Sequence, residues 1–122
     1  MVALMSAIVY FEIFCDEEER ARKFYSQLFG WKVERIPGTK YCNITTQEGS
    51  AGGLTRRFNP HQKIINYFGV LSVREASSKV EALGGRVLVP KMAVPRAGYY
   101  ALCMDSENNL FGLWEEDPEA EY

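Results

Sequence analysis

The 122 residues of this chain suit one domain of ordinary size, and a 47% hydrophobic and 25% charged composition provides enough apolar material for a core. Fourteen basic against sixteen acidic residues give a net charge of −2 with no basic stripe, which argues against a nucleic-acid partner. The N-terminal "MVALMSAIVYF" is neither a signal peptide nor a membrane span, so no membrane partner is expected. The odd, dispersed Cys15, Cys42 and Cys103 favour a reducing cytoplasm over a disulfide framework.

The first half of the chain predicts a strand, a helix and three further strands. Residues 8–14 alternate as a strand, and Asp16 is expected to cap a helix that ends at Gly30. Strands are predicted at 31–36, 41–46 and 51–57, with turns at 37–38 and 48–50. The apolar residues of the helix recur at i, i+3, i+4, i+7 and i+8: Ala21, Phe24, Tyr25, Leu28 and Phe29.

The second half predicts the same order of elements after a polar linker at 58–63. A strand at 65–71 precedes Ser72, a candidate cap for a helix that ends at Gly84-Gly85. Strands are predicted at 86–89, 99–104 and 110–116, with a long loop at 90–98 and a solvated acidic tail at 116–122. The apolar stripe of the helix is Val73, Ala76, Val80 and Leu83.

The two halves form an internal repeat, about residues 6–57 and 64–117, within a single domain of residues 1–122. A period that occurs only twice indicates duplication rather than a solenoid. The predicted fold class is α+β, with two βαβββ modules forming an eight-stranded incomplete barrel around a cleft. Clefts of this kind bind small ligands.

Two strings carry a family resemblance: "YFEIFCDEEERARKFYSQLFGW" in the first half and "EALGGRVLVPK…GYYALCMDSENNLFGLWEE" in the second. The chain resembles the vicinal oxygen chelate superfamily of glyoxalase I, bleomycin-resistance proteins and extradiol dioxygenases, especially small proteins related to lactoylglutathione lyase. The resemblance implies four metal-ligand positions, which here carry Tyr10, Gly53, Tyr67 and Gly112. Glycine has no side-chain donor and a neutral phenol is a poor ligand, so neither a metal nor another cofactor is expected.

Side-chain alternation predicts what faces the cleft. The candidate ligand-binding residues are Tyr10, Tyr67 and Trp114, whose rings suit a small apolar or aromatic molecule, and Arg96, which suits an anionic or carbonyl group. The two glycines are expected to enlarge the floor of the cleft. The alternative is that the aromatic rings simply fill the space of a metal site.

Glu12 is the candidate catalytic residue, because an acid on an apolar wall should have a raised pKa and can exchange protons with a substrate. A structural, hydrogen-bonded glutamate is the alternative. Three functions follow: a small-molecule-binding protein, a metal-independent lyase or isomerase that uses Glu12, and a non-catalytic dimeric interaction module. The resemblance also implies a homodimer.

Overall fold

A computed structural model describes residues 7–122, apart from the side chain of Ser50. The start of the first predicted repeat at residue 6 lies outside the described residues. Two compact units divide the chain. The first unit is Tyr10–Ile65, and the second consists of residues 7–9 with Asn66–Tyr122.

Each half of the chain follows the predicted order of strand, helix and three strands. The elements of the first half are β1 (Ile8–Cys15), α1 (Glu18–Phe29), β2 (Lys32–Arg35), β3 (Cys42–Thr46) and β4 (Gly49–Arg56). Those of the second half are β5 (Ile65–Gly69), α2 (Val73–Ala82), β6 (Arg86–Val94), β7 (Gly98–Met104) and β8 (Leu110–Glu116). The predicted α+β class, with two βαβββ modules, is therefore confirmed. Within residues 7–122, neither helix is long and apolar enough to cross a membrane.

The sheet of the first unit has the order β2-β3-β4-β1, with β1 parallel to β4 and the other pairs antiparallel. One face of this sheet and α1 enclose the core. The side chains of β1 that face this core are Phe11, Ile13 and Cys15, which alternate along the strand. The core is completed by Ala21, Tyr25, Trp31, Val33, Cys42, Ile44 and Leu54.

The ends of α1 match the sequence prediction on one side only. Gly30 ends the helix in the left-handed region, with φ 73°, and its N–H donates to Ser26 O. The predicted cap at Asp16 is wrong, since the N-cap is Glu17, whose side chain makes no capping hydrogen bond. Asp16 instead pairs with Arg57, at 2.9 Å between Oδ1 and Nε. The charge pattern of the turn could not distinguish a cap from this longer-range ion pair.

Three of the five residues in the predicted apolar stripe of α1 are largely exposed. Ala21 and Tyr25 pack on the core, but Phe24, Leu28 and Phe29 are 59%, 57% and 54% exposed. The helix therefore presents an apolar surface outward as well as inward.

The sheet of the second unit has the order β5-β8-β7-β6, with β5 parallel to β8. Ser72 caps α2 as predicted, and its Oγ accepts from Glu75 N at 3.1 Å. The inclusion of Leu83 in the apolar stripe is wrong, because this residue forms the C-cap and is 74% exposed. The core of this unit consists of Val73, Ala101, Cys103 and Leu113, with Val70, Ala76, Val80, Val87, Tyr99 and Phe111 packed against them.

The predicted loop at 90–98 is mostly strand. β6 continues to Val94, and its register against β7 shifts twice, between Val87 and Val89 and between Val89 and Met92. Such irregularities are where a strand tolerates a proline, here Pro90.

The acidic tail is not a fully solvated end. Ala120 is buried, and its carbonyl accepts from Arg96 N at 3.0 Å. Asp117 N donates to Ala97 O at 3.0 Å. These bonds attach the tail to the short turn between β6 and β7, a contact that composition alone does not reveal.

Candidate functional site

Each sheet has a face opposite its own helix, called here the helix-distal face. In β1 this face carries Tyr10, Glu12 and Phe14, because the intervening residues point to the core. All three are half-buried. The alternation predicted from the sequence for Tyr10 and Glu12 is therefore confirmed.

Three side chains on the helix-distal face of the first unit form a hydrogen-bonded row, called here the tyrosine–glutamate chain. Tyr41 Oη lies 2.5 Å from Tyr10 Oη, and its hydroxyl donates to Glu12 Oε2 at 2.8 Å. Sequence reasoning missed Tyr41. Tyr41 lies two residues before Asn43, so the two side chains point to the same face of the sheet, and Asn43 pairs with Gly53. A correct register between β3 and β4 would therefore have indicated that Tyr41 lies near Gly53.

The backbone of the β2–β3 turn holds Tyr41 in place. Tyr41 O accepts from Ile36 N at 2.9 Å, and Tyr41 N donates to Thr39 Oγ1 at 3.1 Å. The phenol then extends across Gly53, where an added Cβ would overlap the Tyr41 hydroxyl and the ring carbon that bears it. The glycine in β4 is thus what leaves room for this tyrosine.

The helix-distal face of the second unit has a related contact between an aromatic ring and a glycine. Tyr67, which is buried, lies opposite Gly112 in the β5–β8 register, and an added Cβ at Gly112 would overlap the Tyr67 ring. Trp114 follows two residues along β8, and its ring lies over Gly98. An added Cβ at Gly98 would stand 2.7 Å from Trp114 Cζ2.

Aromatic side chains therefore occupy the space above both glycines. The expectation that Gly53 and Gly112 enlarge the floor of a cleft is wrong. In each unit an aromatic side chain fills the space above the glycine, as the alternative interpretation of the sequence states.

Both phenols of the tyrosine–glutamate chain hold their protons more tightly than a free tyrosine. Burial is the main cause that raises the pKa of Tyr41, and the negative charge of Glu12 adds to it. Burial also raises the pKa of Tyr10, partly offset by its bond with Tyr41. Both groups are thus neutral hydroxyls well above neutral pH.

Arg96 lies outside β5 and β8, the strands that carry Tyr67 and Trp114. It occupies the turn between β6 and β7 with φ 64°, and it is exposed. The backbone N–H of Arg96 donates to Ala120 O in the tail. This bond holds the backbone of the turn and does not involve the guanidinium.

A groove of about 340 Å³ lies in the first unit beside the start of α1. Its lining includes Cys15, Asp16, Arg20, Phe24 and Arg57. None of the predicted site residues lines this groove. It is a separate surface of the first unit.

Sequence comparisons link the chain to known proteins. Residues 7–47 match the family described as bleomycin resistance protein-like N-terminal. The Mycobacterium tuberculosis (strain CDC 1551 / Oshkosh) protein named "Putative glyoxylase CFP32" is 29% identical over 108 residues, which cover 81% of this chain and 41% of that protein. The chain thus spans less than half the length of this relative.

Solved structures show the same fold. A glyoxalase/bleomycin resistance protein/dioxygenase superfamily member from Vibrio splendidus 12B01 matches with a TM-score of 0.64 at 14% identity, over 88% of this chain and 97% of that one. Methylmalonyl-CoA epimerase from Streptomyces coelicolor matches with a TM-score of 0.66 at 14% identity, over 98% of this chain and 100% of that one. The chain therefore has the fold of the glyoxalase/bleomycin resistance protein/dioxygenase superfamily.

The four positions that the resemblance assigns to metal ligands are not paired alike. Gly112 lies opposite Tyr67, but Gly53 lies opposite Glu12 rather than Tyr10. Within residues 7–122, no group of three or more His, Cys, Asp or Glu side chains is placed to hold a metal ion.

Proposed function

We propose that this chain is a member of the vicinal oxygen chelate superfamily that binds a small apolar or aromatic molecule and has lost the metal site of the superfamily's metalloenzymes. The residues at the family positions do not fit a divalent metal. Tyr10 and Tyr67 offer neutral phenols, and Gly53 and Gly112 offer no side-chain donor. The aromatic rings above both glycines also leave no space for a larger side chain there.

The tyrosine–glutamate chain is the observation that carries the binding proposal. It places two hydroxyls and a carboxylate, each on a half-buried side chain, on a sheet face that also offers aromatic ring surface. Small-molecule sites combine apolar and aromatic surface with a few well-placed polar groups. We propose that Tyr10 supplies the polar contact in the first unit, and that Tyr67, Trp114 and Arg96 are binding residues of the second.

A thermal-shift screen of aromatic fragments tests this function. A fragment present at about 100 times its Kd should stabilise the protein by about 2.7 kcal/mol and raise its melting temperature. Tyr10→Ala and Trp114→Ala should each weaken that effect. Phe24→Ala, in the separate groove, is the matched control and should leave it unchanged. Loss of the effect only in Phe24→Ala would move the binding site to the groove.

A metal titration tests the other half of the proposal. Calorimetry with Zn²⁺ and Ni²⁺ should give no stoichiometric binding that depends on Tyr10 or Tyr67. Tight binding of one ion per chain that is lost on substitution of either tyrosine would contradict the proposed loss of the metal site.

A metal-independent lyase or isomerase is the second candidate, favoured by the 2.8 Å bond between Tyr41 and Glu12. A carboxylate held by a phenol is placed to accept or return a proton. Deuterium uptake by carbonyl compounds in D₂O, followed by NMR with a chelator present, should then depend on Glu12 and stop in Glu12→Gln. Uptake that continues unchanged in this variant would exclude Glu12 as the base.

We also propose that the chain forms a homodimer in the cytoplasm. A non-catalytic role as a dimeric interaction module is the third candidate function. The exposed Phe24, Leu28 and Phe29 of α1 support self-association, and the free thiols of all three cysteines support a reducing compartment. Sedimentation should show a dimer that Phe24→Ser with Leu28→Ser disrupts. A monomer at all accessible concentrations would contradict the dimer.

A further inference from the structure

The turn between β6 and β7, called here the arginine turn (residues 94–97), holds an arginine in an uncommon backbone conformation. Ala97 N donates to Val94 O at 2.9 Å and closes the turn, and its third residue, Arg96, has φ 64°. A left-handed residue at this place in a turn is usually glycine or asparagine. Within the described part of the chain, the other non-glycine residue with positive φ is Asn108, a type that tolerates it. An arginine kept there despite the backbone strain points to a role for its side chain.

The acidic tail holds the arginine turn in place. Ala120 N donates to Asp117 O at 3.1 Å, so the tail itself folds into a turn. Ala120 O accepts from Arg96 N at 3.0 Å. Asp117 N donates to Ala97 O, also at 3.0 Å. Ala120 is buried and is therefore the apolar anchor of this contact, which fixes the backbone of Arg96 from outside its own turn.

The arginine turn lies beside the ring of Trp114. Gly98 follows two residues after Arg96, so the Cα atoms of these two residues are at most about 7.6 Å apart. A Cβ added to Gly98 would stand 2.7 Å from Trp114 Cζ2 and 3.0 Å from Trp114 Cη2. Arg96 is exposed and Trp114 is half-buried, and the ion pairs among residues 7–122 do not involve Arg96. An arginine side chain is long enough for its guanidinium to contact a small ligand that also contacts the indole.

We propose that the tail, anchored by Ala120, is a positioning element that holds Arg96 where it binds the anionic group of a small aromatic ligand on Trp114. This inference rests on the proposed binding function and names its ligand class, an aromatic carboxylate. The ring contacts the indole, and the carboxylate accepts hydrogen bonds from the guanidinium, whose planar donors match it. Since Arg96 is exposed, the charge pair is weak, and a preference of about three- to fivefold over an uncharged analogue follows. Ala120 supports this preference without touching the ligand.

Two matched probes, 4-fluorobenzoate and 4-fluorobenzamide, test the inference in ¹⁹F NMR titrations at neutral pH. Their shapes are similar, but only the benzoate carries a negative charge. The unchanged protein should bind 4-fluorobenzoate about three- to fivefold more tightly. Arg96→Gly removes the guanidinium and suits the positive φ, so it should abolish this preference and change the affinity for 4-fluorobenzamide little.

Ala120→Leu tests the anchor, because a leucine overpacks a buried alanine site and the substitution leaves the net charge unchanged. It should speed hydrogen–deuterium exchange of the Arg96 amide, which donates to Ala120 O, and abolish the preference for 4-fluorobenzoate. The affinity for 4-fluorobenzamide should change little. Tyr122→Leu, at an exposed position of the same tail, is the matched control and should alter neither the exchange nor the preference.

Circular dichroism confirms that each variant folds, and Arg96→Gly keeps the test decisive if Ala120→Leu does not. Equal binding of the two probes by the unchanged protein, or an unchanged preference in Arg96→Gly, overturns the inference while the binding function stands. An Ala120→Leu variant that keeps either the slow exchange of the Arg96 amide or the preference overturns it as well, because the anchor then does not position Arg96. Binding of neither probe up to its solubility limit overturns both the inference and the binding function.

Discussion

In each unit, a tyrosine fills the space above a glycine of the last strand, but the tyrosine comes from a different place in the two units. In the first unit, Tyr41 reaches Gly53 from the residue just before β3 and joins a polar row with Glu12. In the second unit, Tyr67 lies directly opposite Gly112, and its ring occupies the space that a Gly112 side chain would need. The contrast shows that a glycine at a position that the family resemblance assigns to a ligand does not by itself open a cavity.

The strand registers explain why the two solutions differ. Gly112 pairs with Tyr67, but Gly53 pairs with Glu12, which lies two residues beyond Tyr10. A shift of two residues keeps every side chain on the same face. The space above Gly53 therefore faces a carboxylate from β1, and an aromatic ring has to come from elsewhere in the unit.

The largest expected effect is on the second unit. Gly112→Ala places a methyl group against the buried Tyr67 ring close to its attachment point, so the ring cannot simply turn aside. Overpacking of this kind should lower the free energy of unfolding by about 3 kcal/mol. Gly53→Ala should cost about 2 kcal/mol, because the half-buried Tyr41 phenol can move outward. Urea unfolding measures both.

Double variants are the control for this difference. Gly112→Ala should cost little in a Tyr67→Ala background, and Gly53→Ala should cost little in a Tyr41→Ala background, because the clashing ring is gone in each case. Costs that remain unchanged in these backgrounds would show that the rings are not what excludes a side chain.

Tyr41→Phe should have the next largest effect, about 2 kcal/mol, because two hydrogen bonds are lost and one of them reaches a charged group. Tyr25→Phe is the control and should change the free energy of unfolding by less than about 0.5 kcal/mol. Equal effects from the two substitutions in urea unfolding would mean that the tyrosine–glutamate chain does not stabilise the first unit.

The two helix starts provide a smaller contrast. Ser72→Ala removes the side-chain cap of α2 and should cost about 1 kcal/mol. α1 has no side-chain cap, so Glu17→Ser should stabilise the first unit by about 0.5 kcal/mol. Thermal unfolding of both variants gives the sign. A destabilised Glu17→Ser variant would indicate that Glu17 makes a contribution other than capping, such as its ion pair with Arg20.

The last contrast appears only at high pH. The raised pKa values of Tyr10 and Tyr41 mean that the folded protein keeps protons which the unfolded chain releases at about pH 10. The free energy of unfolding should therefore fall as the pH rises above about 10, and fall less steeply in Tyr41→Phe. Burial raises the thiol pKa values of the three cysteines as well, which adds a decline of the same sign to both proteins. Identical slopes in urea unfolding between pH 9 and 11 would contradict the prediction.

Local patterns predicted most of the elements. Strand β8 has the predicted bounds, Gly30 ends α1, and Ser72 caps α2, because each depends on residues adjacent in sequence. The failures depend on distant partners. Asp16 forms an ion pair with Arg57 instead of capping α1. Pro90 lies within β6, where the β6–β7 register is irregular.

The candidate site was predicted in part. Alternation placed Tyr10 and Glu12 on one face, and the fold confirms this. Tyr41 was missed, since it lies 31 positions from Tyr10 and its contact depends on how β1, β3 and β4 align. The enlarged floor predicted for the glycines was wrong for the same reason.

The sequence by itself determined the repeated βαβββ order, the helix ends at Gly30 and Ser72, and the face that each strand residue occupies, because these follow from periodicity and local backbone chemistry. Only the tertiary structure decided the strand registers, and with them which aromatic ring covers which glycine and which proton donor meets Glu12. A register shift of two residues leaves the pattern of apolar and polar positions unchanged, so no reading of that pattern distinguishes one alignment from the other.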